Sequence, residues 1–339
     1  MNNSELVKKF DTNNKQVIRK KWAKPLLAYL HSVVEKKLLY LGLPDTEALD
    51  IIEWLDYIDV VYAFQCRDYP NPSAPDQDRK NVLALESTLR RLERTRKLVT
   101  FDVFDGYIEE VLVRGYDNTP TYKEFLQNDI ITIYNLDFCG QVTSPIEYVD
   151  IQGKKQQAYK FNAVDRLLNY QKNIEFPNKK FIMFLTLHCS YDGKEFENFI
   201  SNPHNTDIEN YITTVKSLSK GKKAPYLVKA FVYDQLSRFF TQNNFVPEFL
   251  PTIYYKGDKE HPLLFFTIIG TQVENKSGLP SPFQKLKSLL NKPFLSISDG
   301  DEFSENSSLK LNNDISIGLN VNPINIFKSS KTFKNLWKK

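Results

Sequence analysis

The sequence predicts an α/β fold: a doubly wound, mostly parallel sheet that ends in an antiparallel hairpin, with an N-terminal helix and a C-terminal extension. Three observations lead there. Short, nearly continuous apolar runs recur along the chain, as in strands covered on both faces. Segments with helical spacing separate these runs, the pattern of a parallel sheet wound by helices. Two late runs, 252–255 and 263–269, flank a Gly257-Asp258 turn and read as a hairpin.

The elements follow in order. Residues 16–34 place Ile18, Trp22, Leu26, Leu27 and Leu30 on one helical stripe, with Pro25 marking a kink or a fresh start. Residues 37–42 read as a first strand closing on Gly42, after which Asp45 can cap a helix carrying Leu49, Ile52, Trp54 and Leu55. The run 60–64 is the second strand and completes a β-α-β unit. The prolines of 67–77 forbid regular structure and mark an exposed loop in which Tyr69 could stack on a ring. Residues 81–96 return to helical spacing, and 98–104 form a third strand ending at Asp105-Gly106. Short helices are expected over 109–113 and 122–127, then a fourth strand over 130–134, a helix over 162–172 and a fifth strand over 181–187. Helices over 207–217 and 226–241 precede the hairpin, and 283–290 is a further helical candidate. The Ser, Asn, Asp and Glu rich stretch 296–314 reads as a linker within the extension, and 315–337 holds enough apolar residues to dock on the body. The expected organisation is a helical segment 1–36, a Rossmann-like domain 37–273 and an extension 274–339.

Composition bounds the function. The 339 residues are 41% apolar and 13% aromatic, a globular balance able to bury a large core. No apolar stretch approaches the ~20 residues of a membrane span, and the first 37 residues are too charged for a signal peptide, so a cytoplasmic location without membrane attachment is expected. Cys66, Cys139 and Cys189 are isolated, which argues against a disulfide framework and against structural zinc. The four histidines are scattered singly, and neither a Gly-x-x-x-x-Gly-Lys-Ser/Thr loop nor a Gly-x-Ser-x-Gly elbow is present. The net charge of +4 diagnoses no partner, although the basic runs 8–37, 90–97 and 310–339 could meet RNA or DNA phosphates or simply be solvated.

The strongest functional signal is residues 129–145, where a β-branched run leads into Asn135-Leu136-Asp137-Phe138-Cys139-Gly140. In open α/β sheets the carboxyl ends of the strands form the ligand crevice, so polar side chains after the last apolar residue face whatever binds there. The alternative is local: Asp137 capping a turn and Asn135 bonding nearby backbone.

The strand order with its terminal hairpin resembles that of class I methyltransferases that use S-adenosylmethionine. The Asn-Leu-Asp-Phe-Cys-Gly run is similar to the Asp-Leu-Asp-Pro-Phe-Gly motif of tRNA guanine-N2 dimethyltransferases and, more loosely, to the Asn-Pro-Pro-Tyr motif of amino-methylating enzymes. The resemblance implies that Asn135 or Asp137 orients an exocyclic amine of a nucleic-acid base and that Phe138 stacks on the base. It places the cofactor around Gly42, Pro44 and Asp45 after the first strand, Gln65 and Asp68 after the second, and Asp102 or Asp105 after the third. The chain departs from the family at the Gly-x-Gly-x-Gly loop, of which only Gly42 survives in Leu41-Gly42-Leu43-Pro44-Asp45, and at the acid ending the second strand, here Gln65. Two readings therefore stand: a divergent methyltransferase, or a non-catalytic Rossmann-like subunit binding a protein partner in a complex.

Overall fold

A computed structural model describes residues 11–34, 37–65, 79–125, 130–138, 140–172, 174, 180–191, 193–257, 261–273, 286–311 and 321–325. Asp68, Cys66, Cys139 and the loop 67–77 lie outside the described residues, as does most of the basic tail.

The N-terminal helical region is α1 (Asn13–Val17), a π-helical turn (Ile18–Ala23) and α2 (Lys24–Val34). The wide turn has a local cause. Pro25 cannot donate to the carbonyl one α-turn back and its ring would clash there, and the loosened register just before it lets the Lys24 N–H reach the Arg19 carbonyl instead. There follow β1 (Leu38–Gly42), α3 (Leu49–Trp54), β2 (Ile58–Gln65), α4 (Lys80–Arg94), β3 (Thr100–Asp105), α5 (Ile108–Arg114) and β4 (Ile133–Asp137). A hairpin of β5 (Ile146–Val149) and β6 (Lys155–Ala158) leads to α6 (Lys160–Gln171) and β7 (Lys180–His188). Next come α7 (Lys194–Ser201), α8 (Thr206–Lys216), α9 (Lys220–Gln242), β8 (Phe245–Phe249), β9 (Ile253–Lys256) and β10 (Pro262–Gln272). Last are α10 (Leu286–Leu290), β11 (Leu295–Ile297) and β12 (Phe303–Glu305).

The main sheet runs β12-β11-β9-β10-β7-β4-β1-β2-β3, with β8 also on β10. Strands β3, β2, β1, β4 and β7 are mutually parallel, and β10 is antiparallel to β7, β8 and β9. This is the doubly wound sheet with an antiparallel hairpin that the sequence predicts. Because the chain winds outward from β1 to β3 and then returns to β4 on the other side, the β1/β4 boundary is the topological switch point.

Alternation divides the sheet into two cores. Leu41, Tyr134, Leu136, Met183 and Leu185 face the helices α5 to α10. Tyr40, Val61, Ile133, Ile182 and Phe184 face the N-terminal helices, α3 and α4. The N-terminal region is sewn into the second core by Trp22, which is fully buried and donates its indole N–H to Thr267 Oγ1 at 2.9 Å.

Several expectations differ. Residues 122–125 form no helix, because Tyr122 is left-handed (φ 49°) and Glu124 bridges Tyr116. The described part of the polar stretch 296–314 contains β11, β12 and a 3-10 turn capped by Asn306. Its average polarity hides an anchor, Phe303, whose ring meets Trp22 edge-on at 4.9 Å, and the buried Leu295 anchors the strand just before it. Within the tail, the Val321 N–H joins the Phe303 carbonyl at 2.8 Å.

If the N-terminal helix is part of the folded body, Trp22→Ala costs about 3–5 kcal/mol, the usual loss for a buried aromatic. Urea unfolding measures this, and a change below about 0.5 kcal/mol would show a helix that merely rests on the sheet.

Candidate functional site

The fourth strand is longer than its apolar run. It continues through Asn135 to Asp137, paired with β1 and β7, so these residues are not loop side chains beyond the strand but alternate across the sheet. Ile133, Asn135 and Asp137 point toward the N-terminal helices. Tyr134, Leu136 and Phe138 enter the opposite core, where the Phe138 ring is 3% exposed. Phe138 is thus packed in the apolar core and borders the cavity with little of its surface open for the stacking expected of it.

Asn135 is buried, and its amide nitrogen donates to Asp50 Oδ2 at 2.8 Å and to the Tyr40 hydroxyl at 3.3 Å. Asp50 in turn is ion-paired with the Arg19 Nε, and Arg19 Nη2 reaches Asp11 at 3.1 Å. The Arg19 carbonyl, already engaged in the π-turn, also accepts the Trp54 indole N–H at 3.2 Å. One turn earlier on the same helical region, Lys15 Nζ pairs with Asp137 Oδ2 at 2.7 Å. The strand-end polar residues therefore meet cations from the N-terminal region.

These groups border a cavity of about 640 Å³ at the carboxyl ends of the parallel strands, within the ~300–1,000 Å³ of small-molecule sites. Pro44, Asp45, Gln65, Asn135, Asp137 and Phe138 all line it. Its wall includes five carboxylates (Asp45, Glu47, Asp50, Glu109, Asp137) against three cations (Lys15, Arg19, Lys80), a formal excess of negative charge. Burial raises Asp45, with Asp50 adding to the shift. Burial likewise raises Glu109, which is 4% exposed. For Lys15, burial opposes the charge, but Asp137, Tyr255 and Asp50 outweigh it and hold the ammonium above its usual range.

Two of the expected cofactor residues lie elsewhere. Gly42 is not on the cavity wall: a Cβ there would come within 2.5 Å of both the Asn135 carbonyl and the Tyr40 hydroxyl. Its bareness serves the close approach of β1, β4 and Tyr40. Asp102 sits in mid-strand on the sheet's edge and is bound by Lys123 Nζ at 2.5 Å, because β3 runs on to Asp105. Asp105 is itself fully buried and paired with Arg79 Nε at 3.0 Å, so it is Gly106 that reaches the cavity from this strand. Gln65 lines the wall while donating to the Pro44 carbonyl at 3.3 Å, tying two strand-end loops together. Asp45 does not cap its helix directly. The helix starts at Leu49 behind a left-handed Ala48, and the Asp45 carboxylate accepts the Leu49 N–H at 3.4 Å.

Sequence reading missed Lys15, Arg19, Asp50 and Glu109. The signal for the cations was their i, i+4 spacing beside the apolar Ile18 and Trp22. That for Glu109 was an acid at the first helical turn after Gly106, where it reads equally well as a dipole partner. Among the described residues no cluster of His, Cys, Asp and Glu could hold a metal ion, and no helix is long and apolar enough to cross a membrane.

Replacing Gly42 by Ala forces β1 and β4 apart and is expected to cost about 1–3 kcal/mol in chemical denaturation; an unchanged midpoint would show that this approach is slack. Burial pushes the Cys189 thiol up to about 12, so iodoacetamide at mildly alkaline pH should leave Cys189 unmodified until the protein unfolds. Labelling of Cys189 in the folded protein, read by peptide mass, would contradict its burial at the end of β7.

No family model and no curated protein matches this chain. Solved structures with a similar course include the O-methyltransferase TomG from Streptomyces achromogenes in complex with SAM. It is 8% identical, over 80% of this chain and 95% of that one, with a TM-score of 0.35. An O-methyltransferase from Bacillus cereus in complex with SAH is 10% identical over 79% and 86%, with a TM-score of 0.33. An rRNA methylase from Streptococcus thermophilus is 10% identical over 74% and 95%, with a TM-score of 0.31. These likenesses are remote and assign no activity to this chain.

Proposed function

We propose that the cavity binds S-adenosylmethionine and that the protein transfers its methyl group to an amine nitrogen at the end of β4. The observation that carries this reading is the position of the cavity: it opens at the switch point between β1 and β4, where an open α/β sheet holds its ligand, and its wall bears an excess of carboxylates. The cofactor has cationic sulfonium and ammonium groups and one carboxylate, so its net charge complements that wall. Bound there, it supplies an already activated methyl group.

The chain's own residues bind and orient. The loop Leu43-Pro44-Asp45-Thr46-Glu47, Gln65 and the backbone at Gly106 form the end suited to the cofactor, and Asp137 and Asn135 form the end suited to an acceptor N–H. Nearly all the work asked of them is alignment. A nucleic-acid base with an exocyclic amine is one acceptor of this kind. Its stacking partner would be Tyr107, which lines the cavity and is 41% exposed, in place of Phe138. The basic residues Arg90, Arg91 and Arg94 close α4 just before β3 begins, at the opposite end of the sheet from the cavity. They would meet phosphates only on a strand that wraps around the molecule.

A specific observation favours the second reading, a non-catalytic binding subunit. Asp137, Asp50 and Asn135 already have partners within the chain.

Calorimetric titration separates the two. The methyltransferase reading predicts saturable heats with S-adenosylmethionine and S-adenosylhomocysteine, and a roughly tenfold weaker affinity in Asp45→Asn, the loss of about one charge-assisted hydrogen bond. Absence of heat and of any thermal shift at millimolar ligand would leave the binding-subunit reading.

A further inference from the structure

Lys15 and Arg19 leave the same helical region and enter the same cavity, but they are held differently. Arg19 is clamped between two carboxylates, Asp50 and Asp11, and its side chain is 10% exposed. Among the described residues Lys15 makes one ion pair, Nζ to Asp137 Oδ2 at 2.7 Å, with 27% of its own side chain and 35% of Asp137 still open. Forked, doubly paired guanidinium is a fixed element, whereas a lone ammonium on a flexible four-carbon stem can be exchanged.

The surroundings suit an alkylammonium. Ile18, Ile146, Phe265 and Tyr255 line the cavity along with the ion pair, so a short aliphatic chain finds apolar walls while its charged end meets a carboxylate. The cavity thus already contains one aliphatic ammonium in contact with the strand-end acid, and that ammonium belongs to the protein. Its swing toward solvent requires rotation about side-chain bonds only, since the helix itself stays anchored by Trp22. As a charged ammonium it has no lone pair to accept a methyl group, so it acts as a competitor and not as an acceptor.

We propose that Asp137 is an ammonium-binding subsite, occupied by Lys15 in the free protein, and that its ligand is an aliphatic amine, bound as the ammonium ion, that displaces Lys15. The subsite itself stands on the ion pair and the cavity.

The test titrates the whole protein with n-propylammonium, with neutral propionamide as the control of similar shape, following Asp137 and its neighbours by NMR chemical shift. Lys15→Met should bind n-propylammonium about fivefold more tightly than the unaltered protein, the size of one partly exposed ion pair removed as competitor. Lys15→Ala provides the same comparison should methionine disturb the packing. Adding Asp137→Asn to either variant should abolish binding, and propionamide should bind to none of them. Equal affinity in the Lys15 variants and the unaltered protein overturns the proposal, as does binding that survives Asp137→Asn or that propionamide reproduces. No cofactor is present in this experiment. Its failure therefore leaves the methyl-transfer reading intact, and failure of the cofactor titration leaves the subsite intact.

Discussion

The rest of the site depends on the polar chain Asn135–Asp50–Arg19. It joins three parts of the fold that meet only at the switch point: the end of β4, the first turn of α3 after the β1 loop, and the π-turn of the N-terminal region. A buried amide and a largely buried guanidinium are costly without partners, and leaving either unpaired would cost about 1–3 kcal/mol or more. Each satisfies the other through Asp50. The helical region is thereby fixed over the crevice in one register, which in turn places Lys15 opposite Asp137. Gly42 contributes by having no side chain, allowing β1 and Tyr40 to close up on Asn135.

That arrangement gives the crevice a wall supplied by the N-terminal region. Away from the crevice, the buried Lys229 donates to the Leu290 carbonyl at 2.9 Å and secures the end of α10. At the switch point the charges face a cavity, and their sum is negative. A positively charged ligand is favoured there on simple electrostatic grounds, and exclusion of bulk water by Trp54, Phe64 and Phe265 would strengthen that preference.

Much of the fold could be read from the residues because β1, β4, β7 and β10 are largely buried on both faces and write themselves as apolar runs. The β5–β6 hairpin could not, since Lys155-Gln156-Gln157-Ala158 carries no apolar run and half its residues face solvent. The same reading stopped β4 at Tyr134, taking Asn135 and Asp137 for loop residues. Both are strand residues whose polarity is met by partners 85 and 122 positions away, a distance over which no local pattern speaks. For the site, the strand end was legible and its occupants were not. Arg19 and Lys15 look like the solvated face of an amphipathic helix until the sheet they cover is known, and Phe138 looks like a stacking ring until alternation turns it into the opposite core.

The most direct measurement is a double-mutant cycle on Arg19→Met and Asp50→Asn in urea unfolding. If the chain from Asn135 to Arg19 holds the N-terminal region over the crevice, the two substitutions should couple by about 1–3 kcal/mol. Strictly additive losses, with coupling under about 0.3 kcal/mol, would contradict it and reduce the contact to a surface ion pair.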